Sequence, residues 1–165
     1  MSSALLESLV GEKLRERGLR LALAESCTGG LIGHRITNIP GSSTYYQGSV
    51  TAYAYEAKVR LLGVKWETLE AHGAVSPATV SEMAEGARVA LAADIGLSVS
   101  GIAGPGGGTP QKPVGYVCFA LSAPKQTLTR QQNFKGERIA VKEQAAEYAL
   151  QFLLDYLSGK LDGSN

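Results

Sequence analysis

The sequence has little cysteine, little histidine, a single tryptophan and no long apolar run. Each scarcity closes off a class of protein. The two cysteines, Cys27 and Cys118, are too few for a disulfide framework and fit a reducing, cytoplasmic setting. The two histidines, His34 and His72, have no cysteine, histidine or carboxylate at ligand spacing, which argues against a dedicated zinc site. No segment approaches the roughly 20 apolar residues of a membrane span. Glu7 and Glu12 interrupt the N-terminal stretch, so residues 1–16 read as an amphipathic helix and not as a signal peptide. The formal net charge is +1 with no long run of one sign, so neither a nucleic-acid-binding tail nor a membrane-surface patch is expected.

Apolar residues and glycine, by contrast, are plentiful. With 165 residues, 44% of them hydrophobic, the chain is long enough for one domain with one sizeable core, and residues 158–165 read as a disordered tail. The 20 glycines gather in loops, which favours tight turns that face a ligand. Leu5, Leu6, Leu9, Val10 and Leu14 recur at helical spacing, and Gly18 is placed to stop that helix. Strands are predicted at Arg20–Ala24, Tyr45–Tyr53, Ile95–Ser100, Val114–Leu121 and Thr127–Phe134. Helices are predicted at Leu31–Ile36, Glu56–Leu62, Glu67–Ala71, from Ser76-Pro77 onward, and at Glu137–Leu157. Strands interleaved with helices predict an α/β fold: a three-layer α/β/α sandwich around a central mixed sheet of about five strands.

The richest segment is Glu25-Ser26-Cys27-Thr28-Gly29-Gly30, where a strand turns into a helix. Such a turn sets a hydroxyl at the carboxyl end of a strand and aims backbone N–H groups at its surroundings. Tyr53 ends the second strand, and Lys58 sits near the first turn of the next helix. If the two strands are neighbours, Ser26, Tyr53 and Lys58 meet in one crevice. A neutral lysine can then act as base for a serine nucleophile, with tyrosine relaying the proton or donating to an oxyanion. The competing reading makes Ser26 a helix cap, Tyr53 core and Lys58 solvated. Cys27 shares the turn, and a buried inert thiol is its favoured role. The glycine- and proline-rich loop Gly101–Pro113 is neither a Walker loop nor a dinucleotide fingerprint, because a strand follows it. Its backbone suits an anion, with a flexible connector between two strands as the competing reading; Arg138, a cation that opposes the helix dipole at the start of the last helix, reads equally as an anion ligand or as a solvated surface residue.

Several ordered segments then matter together: Ala24-Glu25-Ser26-Cys27-Thr28-Gly29-Gly30, Gly41-Ser42-Ser43, Gly48-Ser49-Val50-Thr51-Ala52-Tyr53 and Glu56-Ala57-Lys58. They continue with Leu62-Gly63-Val64, His72-Gly73-Ala74-Val75-Ser76, Gly101-Ile102-Ala103-Gly104-Pro105 and Lys112-Pro113-Val114-Gly115. The series resembles the C-terminal domain of the competence/damage-inducible protein family, whose stand-alone members are nicotinamide-nucleotide amidohydrolases. The resemblance implies deamidation of nicotinamide mononucleotide to nicotinic acid mononucleotide and ammonia, with no metal or organic cofactor. It implies a catalytic set on Ser26, Tyr53 and Lys58 and an arginine on Arg138. Oxyanion donors are then expected near Thr28, Gly29 and Gly30, and a phosphate site at Gly104, Gly106, Gly107 and Arg138. A homodimer, a small-molecule nucleotide partner and no nucleic acid or membrane partner are implied as well. Where the family often has Ser-Asn, this chain has Ala54-Tyr55. That departure keeps open an alternative, a non-catalytic nucleotide-binding module of the same family.

Overall fold

The computed structural model describes residues 5–161. Its sheet has five strands: β1 (Leu21–Glu25), β2 (Tyr46–Thr51), β3 (Ile95–Gly101), β4 (Tyr116–Ala123) and β5 (Gln126–Asn133). They lie in the order β2-β1-β3-β4-β5. β1 runs parallel to both neighbours, while β3–β4 and β4–β5 are antiparallel, so the sheet is mixed as predicted. Glu25 is level with Thr51 on one side and Val99 on the other, which brings the carboxyl ends of three parallel strands to one edge.

Among the described residues six helices cover the two faces: α1 (Leu6–Arg17), α2 (Leu31–Thr37), α3 (Tyr55–Leu62), α4 (Trp66–His72), α5 (Pro77–Ala90) and α6 (Arg138–Leu157). α1, α2 and α6 pack over one face, where Leu21, Leu23, Phe119 and Leu150 share a core. α3, α4 and α5 close the other, around Ala22, Ala24, Leu69 and Met83. With both faces covered, all five residues of β1 are buried, which is why that strand reads as a continuous small-apolar run. The period of two divides it strictly: Leu21 and Leu23 join the α1–α2–α6 core, Ala22 and Ala24 the α3–α5 core.

Local signals account for the boundaries. Gly18 ends α1 in the left-handed region, at φ 64°, with its N–H on the Arg15 carbonyl at 3.1 Å. Ser76 caps α5 by accepting the Thr79 N–H at 3.0 Å, and Pro77 occupies the first helical position. Gly86 lets α5 meet α3 backbone to backbone, because a Cβ there would run into the Leu62 carbonyl. β2 stops at Thr51, short of the predicted Tyr53, as the chain turns into α3. β4 starts at Tyr116, two residues late, because Gly115 folds back, its N–H on the Ile102 carbonyl and its own carbonyl accepting from Phe134. The N-terminal helix begins at Leu6, and its predicted residues 1–4 lie outside the described residues. At the other end the Ser158 N–H bonds the Leu154 carbonyl, and Leu161 packs against the core, while residues 162–165 lie outside the description. Among the described residues no helix is long and apolar enough to cross a membrane.

Candidate active site

The alternation of β1 carries one step past the strand. Glu25 falls on the α2 side, and Ser26 falls on the α3 side. Each side chain meets the helix it faces. Lys58 Nζ donates to Ser26 Oγ at 3.1 Å, to the Ala52 carbonyl at 2.9 Å and to the Tyr53 carbonyl at 3.1 Å. Lys58 is the fourth residue of α3, and a helical side chain leans toward the helix N-terminus, here toward the carbonyls that leave β2. The side chain is fully buried (0% exposed), and burial pulls its pKa down to about 8. As an ammonium, Lys58 spends its three protons on three oxygens. As a neutral amine, it can keep two on the carbonyls of Ala52 and Tyr53 and turn its lone pair to the Ser26 hydroxyl. In that state the two carbonyls fix the direction of the amine lone pair.

Glu25 occupies a place that the sequence pattern reserves for a ligand. Its buried carboxylate accepts from the Ile32 N–H (3.0 Å), the Gly33 N–H (3.0 Å) and the Thr28 hydroxyl (2.6 Å), with Ser49 Oγ at 3.5 Å. Two of the N–H groups that open α2 are therefore spent on a carboxylate of the protein itself. Thr28 contributes no free hydroxyl to the crevice. The Gly29 N–H already donates to the Ser26 carbonyl at 3.1 Å. Of the three predicted donors, the N–H groups of Thr28 and Gly30 have no acceptor among the described residues. Gly29 and Gly30 hold φ of 62° and 101°, so the turn needs glycine at both positions.

Cys27 is buried, and desolvation, with the Glu25 charge adding to it, pushes its thiol up to about 12. A thiolate nucleophile is thus disfavoured at this turn.

Tyr53 and Arg138 meet at the rim, apart from the Ser26–Lys58 contact. Tyr53 is 64% exposed, and its hydroxyl accepts from Arg138 Nη2 at 3.1 Å. Its carbonyl, not its phenol, reaches Lys58. Arg138 Nη1 donates to the Gly104 carbonyl at 2.6 Å, so one guanidinium joins the end of β2, the glycine-rich loop and the start of α6. Gly104 is buried, whereas Gly106 and Gly107 lie exposed farther along the loop. Beside Arg138 a groove of about 550 Å³ runs between Ala103, Pro105 and Val114 on one wall and Ile139 on the other. Tyr55, the residue that departs from the family pattern, turns away: its ring centroid lies 6.4 Å from that of Trp66, at the start of α4.

Two residues of the crevice are not evident in the sequence. Glu25 looks there like no more than the end of a strand. Lys142, one turn beyond Arg138 on α6, brings its Nζ to 3.8 Å from where a Cβ on Gly29 would stand. Its spacing of four from Arg138 is the available signal.

The fold and the crevice define a class first: an α/β sandwich with a lysine-paired serine at the carboxyl edge of its parallel strands. The chain belongs to the CinA C-terminal domain family, whose model matches residues 3–157. It is similar to the nicotinamide-nucleotide amidohydrolase PncC of Escherichia coli K12, at 48% identity over 149 residues, which covers 90% of each chain. A CinA-like protein of Chloroherpeton thalassium is 50% identical over 158 residues, 93% of this chain and 37% of that one. A relative from Moorella thermoacetica shows the same disparity, so this chain spans little more than a third of such longer relatives (36% in that case). Among solved structures, the CinA superfamily protein from Klebsiella pneumoniae 700603 superposes with a TM-score of 0.90 at 38% identity, covering 93% of this chain and 96% of that one.

Proposed function

We propose that the chain hydrolyses the carboxamide of nicotinamide mononucleotide, releasing nicotinic acid mononucleotide and ammonia, with Ser26 as nucleophile and Lys58 as base. The observation that carries the reading is the 3.1 Å contact of Ser26 with a buried lysine that two carbonyls orient. The similarity to the E. coli amidohydrolase over 90% of both chains supports the substrate class.

The Ser26 hydroxyl proton passes to neutral Lys58 as Oγ bonds the carboxamide carbon, and the carbonyl electron pair moves onto oxygen. The N–H groups of Thr28 and Gly30 receive that charge; one such donor is commonly worth about 3 kcal/mol. Lys58 returns the proton to the amide nitrogen, the C–N bond breaks and ammonia leaves. Water, deprotonated by the same amine, then opens the acyl-enzyme, frees the carboxylate and restores the Ser26 hydroxyl. The proton route runs directly between Ser26 and Lys58, because the Tyr53 hydroxyl is held by Arg138. As an acceptor from Arg138, that hydroxyl keeps its own proton to offer to the nucleotide. Gly104 and Arg138 form the anion-facing side of the rim, with Gly106 and Gly107 along the same loop.

Ser26→Ala is expected to abolish ammonia release from nicotinamide mononucleotide while circular dichroism and thermal melting stay at wild-type values. Retained turnover in that variant would remove Ser26 from the mechanism.

A further inference from the structure

The α2 N-terminus cannot supply much of the positive potential that a developing oxyanion needs, because Glu25 already sits on it. Its carboxylate takes the Ile32 and Gly33 N–H groups at 3.0 Å each and is fully buried. Lys58 becomes an ammonium as the oxyanion forms, but its three protons are directed to Ser26 Oγ and to the Ala52 and Tyr53 carbonyls, which leaves none for the oxyanion. A further cation does stand at the turn, and α6 brings it. Lys142 Nζ lies 3.8 Å from the position of a Cβ on Gly29, and both Lys142 and Lys58 act electrostatically on the buried Cys27. Lys142 is half-buried, and its ammonium makes no hydrogen bond or ion pair among the described residues. By contrast Arg138, one turn earlier on the same helix face, is committed to Gly104 and Tyr53.

We propose that Lys142 supplies the positive charge at the acyl end of the site, stabilising the tetrahedral oxyanion together with the Thr28 and Gly30 N–H groups. The role rests on the serine-amidase reading above. It gives each cation of the crevice a separate role. Lys58 moves the proton, Lys142 meets the charge that develops at the carbonyl, and Arg138 faces the nucleotide. An uncommitted ammonium is suited to this work, since its protons need not leave another acceptor when the oxyanion forms.

The experiment separates an oxyanion role from a phosphate role by using nicotinamide mononucleotide and nicotinamide riboside, which lacks the phosphate. Lys142→Met is expected to lower kcat about 10²-fold on both compounds, with KM within about twofold and an unchanged melting temperature. Lys142→Arg should restore most of the loss, as a purely space-filling role would not require. A second readout needs no nucleotide. Diisopropyl fluorophosphate labels an activated serine by forming an Oγ–P bond and expelling fluoride, the serine proton passing to Lys58. Labelling of Ser26, followed by intact mass, should slow in Lys142→Met by a similar factor.

Unchanged kcat and labelling in Lys142→Met would overturn the proposal. So would a defect confined to KM for the phosphorylated compound, which would make Lys142 a phosphate ligand. If the wild type labels at Ser26 but releases ammonia from neither compound, the substrate assignment fails, and the labelling ratio still decides the role of Lys142. If the wild type neither labels nor turns over, the serine mechanism and the Lys142 role fall together.

Discussion

The inner wall of the crevice and its rim are built on opposite terms. At the inner wall, Lys58 is fully buried, and its ammonium meets three oxygens within 3.1 Å. At the rim, Tyr53 and Arg138 stand largely in solvent, joined by one 3.1 Å hydrogen bond. The wall has given up its side-chain freedom and its hydration in return for a fixed direction and a lowered lysine pKa. The rim keeps its freedom and can adapt to what enters. Under the proposed mechanism, the chemistry that depends on a pKa falls at the wall and recognition of the charged ligand at the rim.

The largest break in that comparison comes from the wall. Lys58→Met should cost as much activity as Ser26→Ala, roughly 10⁴-fold or more, because members of a catalytic unit fail together. In the wild type, kcat/KM should rise about tenfold per pH unit up to about pH 8 and level off above it, since only the neutral amine accepts the serine proton. A profile that falls across that range would contradict Lys58 as base. The same burial appears in stability. The folded protein releases this proton near 8, and the unfolded chain near the ordinary lysine value of 10.5. Between those values the unfolded chain holds more protons, so folding is favoured increasingly as pH rises. Relative to Lys58→Met, the wild type should gain about 3 kcal/mol across that window, read by urea titration at several pH values.

The second comparison lies within the rim. Arg138→Ala removes the guanidinium that ties Gly104 to Tyr53, and it should raise KM for nicotinamide mononucleotide by about tenfold or more while kcat moves less. Tyr53→Phe keeps the carbonyl that holds Lys58 and removes only a hydroxyl on the solvent side. Its effect on kcat should stay within about tenfold, because a general acid or base usually contributes 10² or more. A kcat loss of about 10³-fold in Tyr53→Phe would move the phenol from the rim to the proton path. Steady-state kinetics on the purified variants decide both.

How far the sequence discloses this division depends on the range of each interaction. The strands and helices are legible because period, caps and glycines are local: Ser76-Pro77 and Gly18 act where they stand. Ser26 and Lys58 are legible because two parallel neighbours end level, at Glu25 and Thr51, and the intervening residues are few. Glu25 is not, because its partners come from the α2 backbone and from Ser49 on β2, and nothing in a strand pattern announces a buried acid. Lys142 is hidden for a similar reason. A lysine on a long helix looks solvated until that helix is laid over the turn that follows β1. Tyr53 lies two residues past the end of β2, and the direction of a side chain just past a strand is set by its partner, here Arg138.

The smallest expected effect belongs to Tyr55, the position at which the chain departs from its family pattern. The departure would matter most if residue 55 faced Ser26. It opens α3, but its ring lies toward Trp66, and its hydroxyl is 3.9 Å from where a Cβ on Gly73 would stand, close to the end of α4. Lys112 Nζ, 3.7 Å from the same point, is held by the His72 carbonyl at 2.6 Å, so this corner is an anchored contact between α3, α4 and the glycine-rich loop. Tyr55→Asn should therefore alter kcat on nicotinamide mononucleotide by less than about threefold. It would remove an aromatic contact of the kind worth about 1 kcal/mol, to be read as a small drop in melting temperature. A large kcat change without a stability change would place residue 55 in the crevice and erase the boundary between wall and rim on that side. The expected pattern, a small stability loss with catalysis intact, would show that the Lys58 carbonyl cradle is indifferent to the first residue of the helix that carries it.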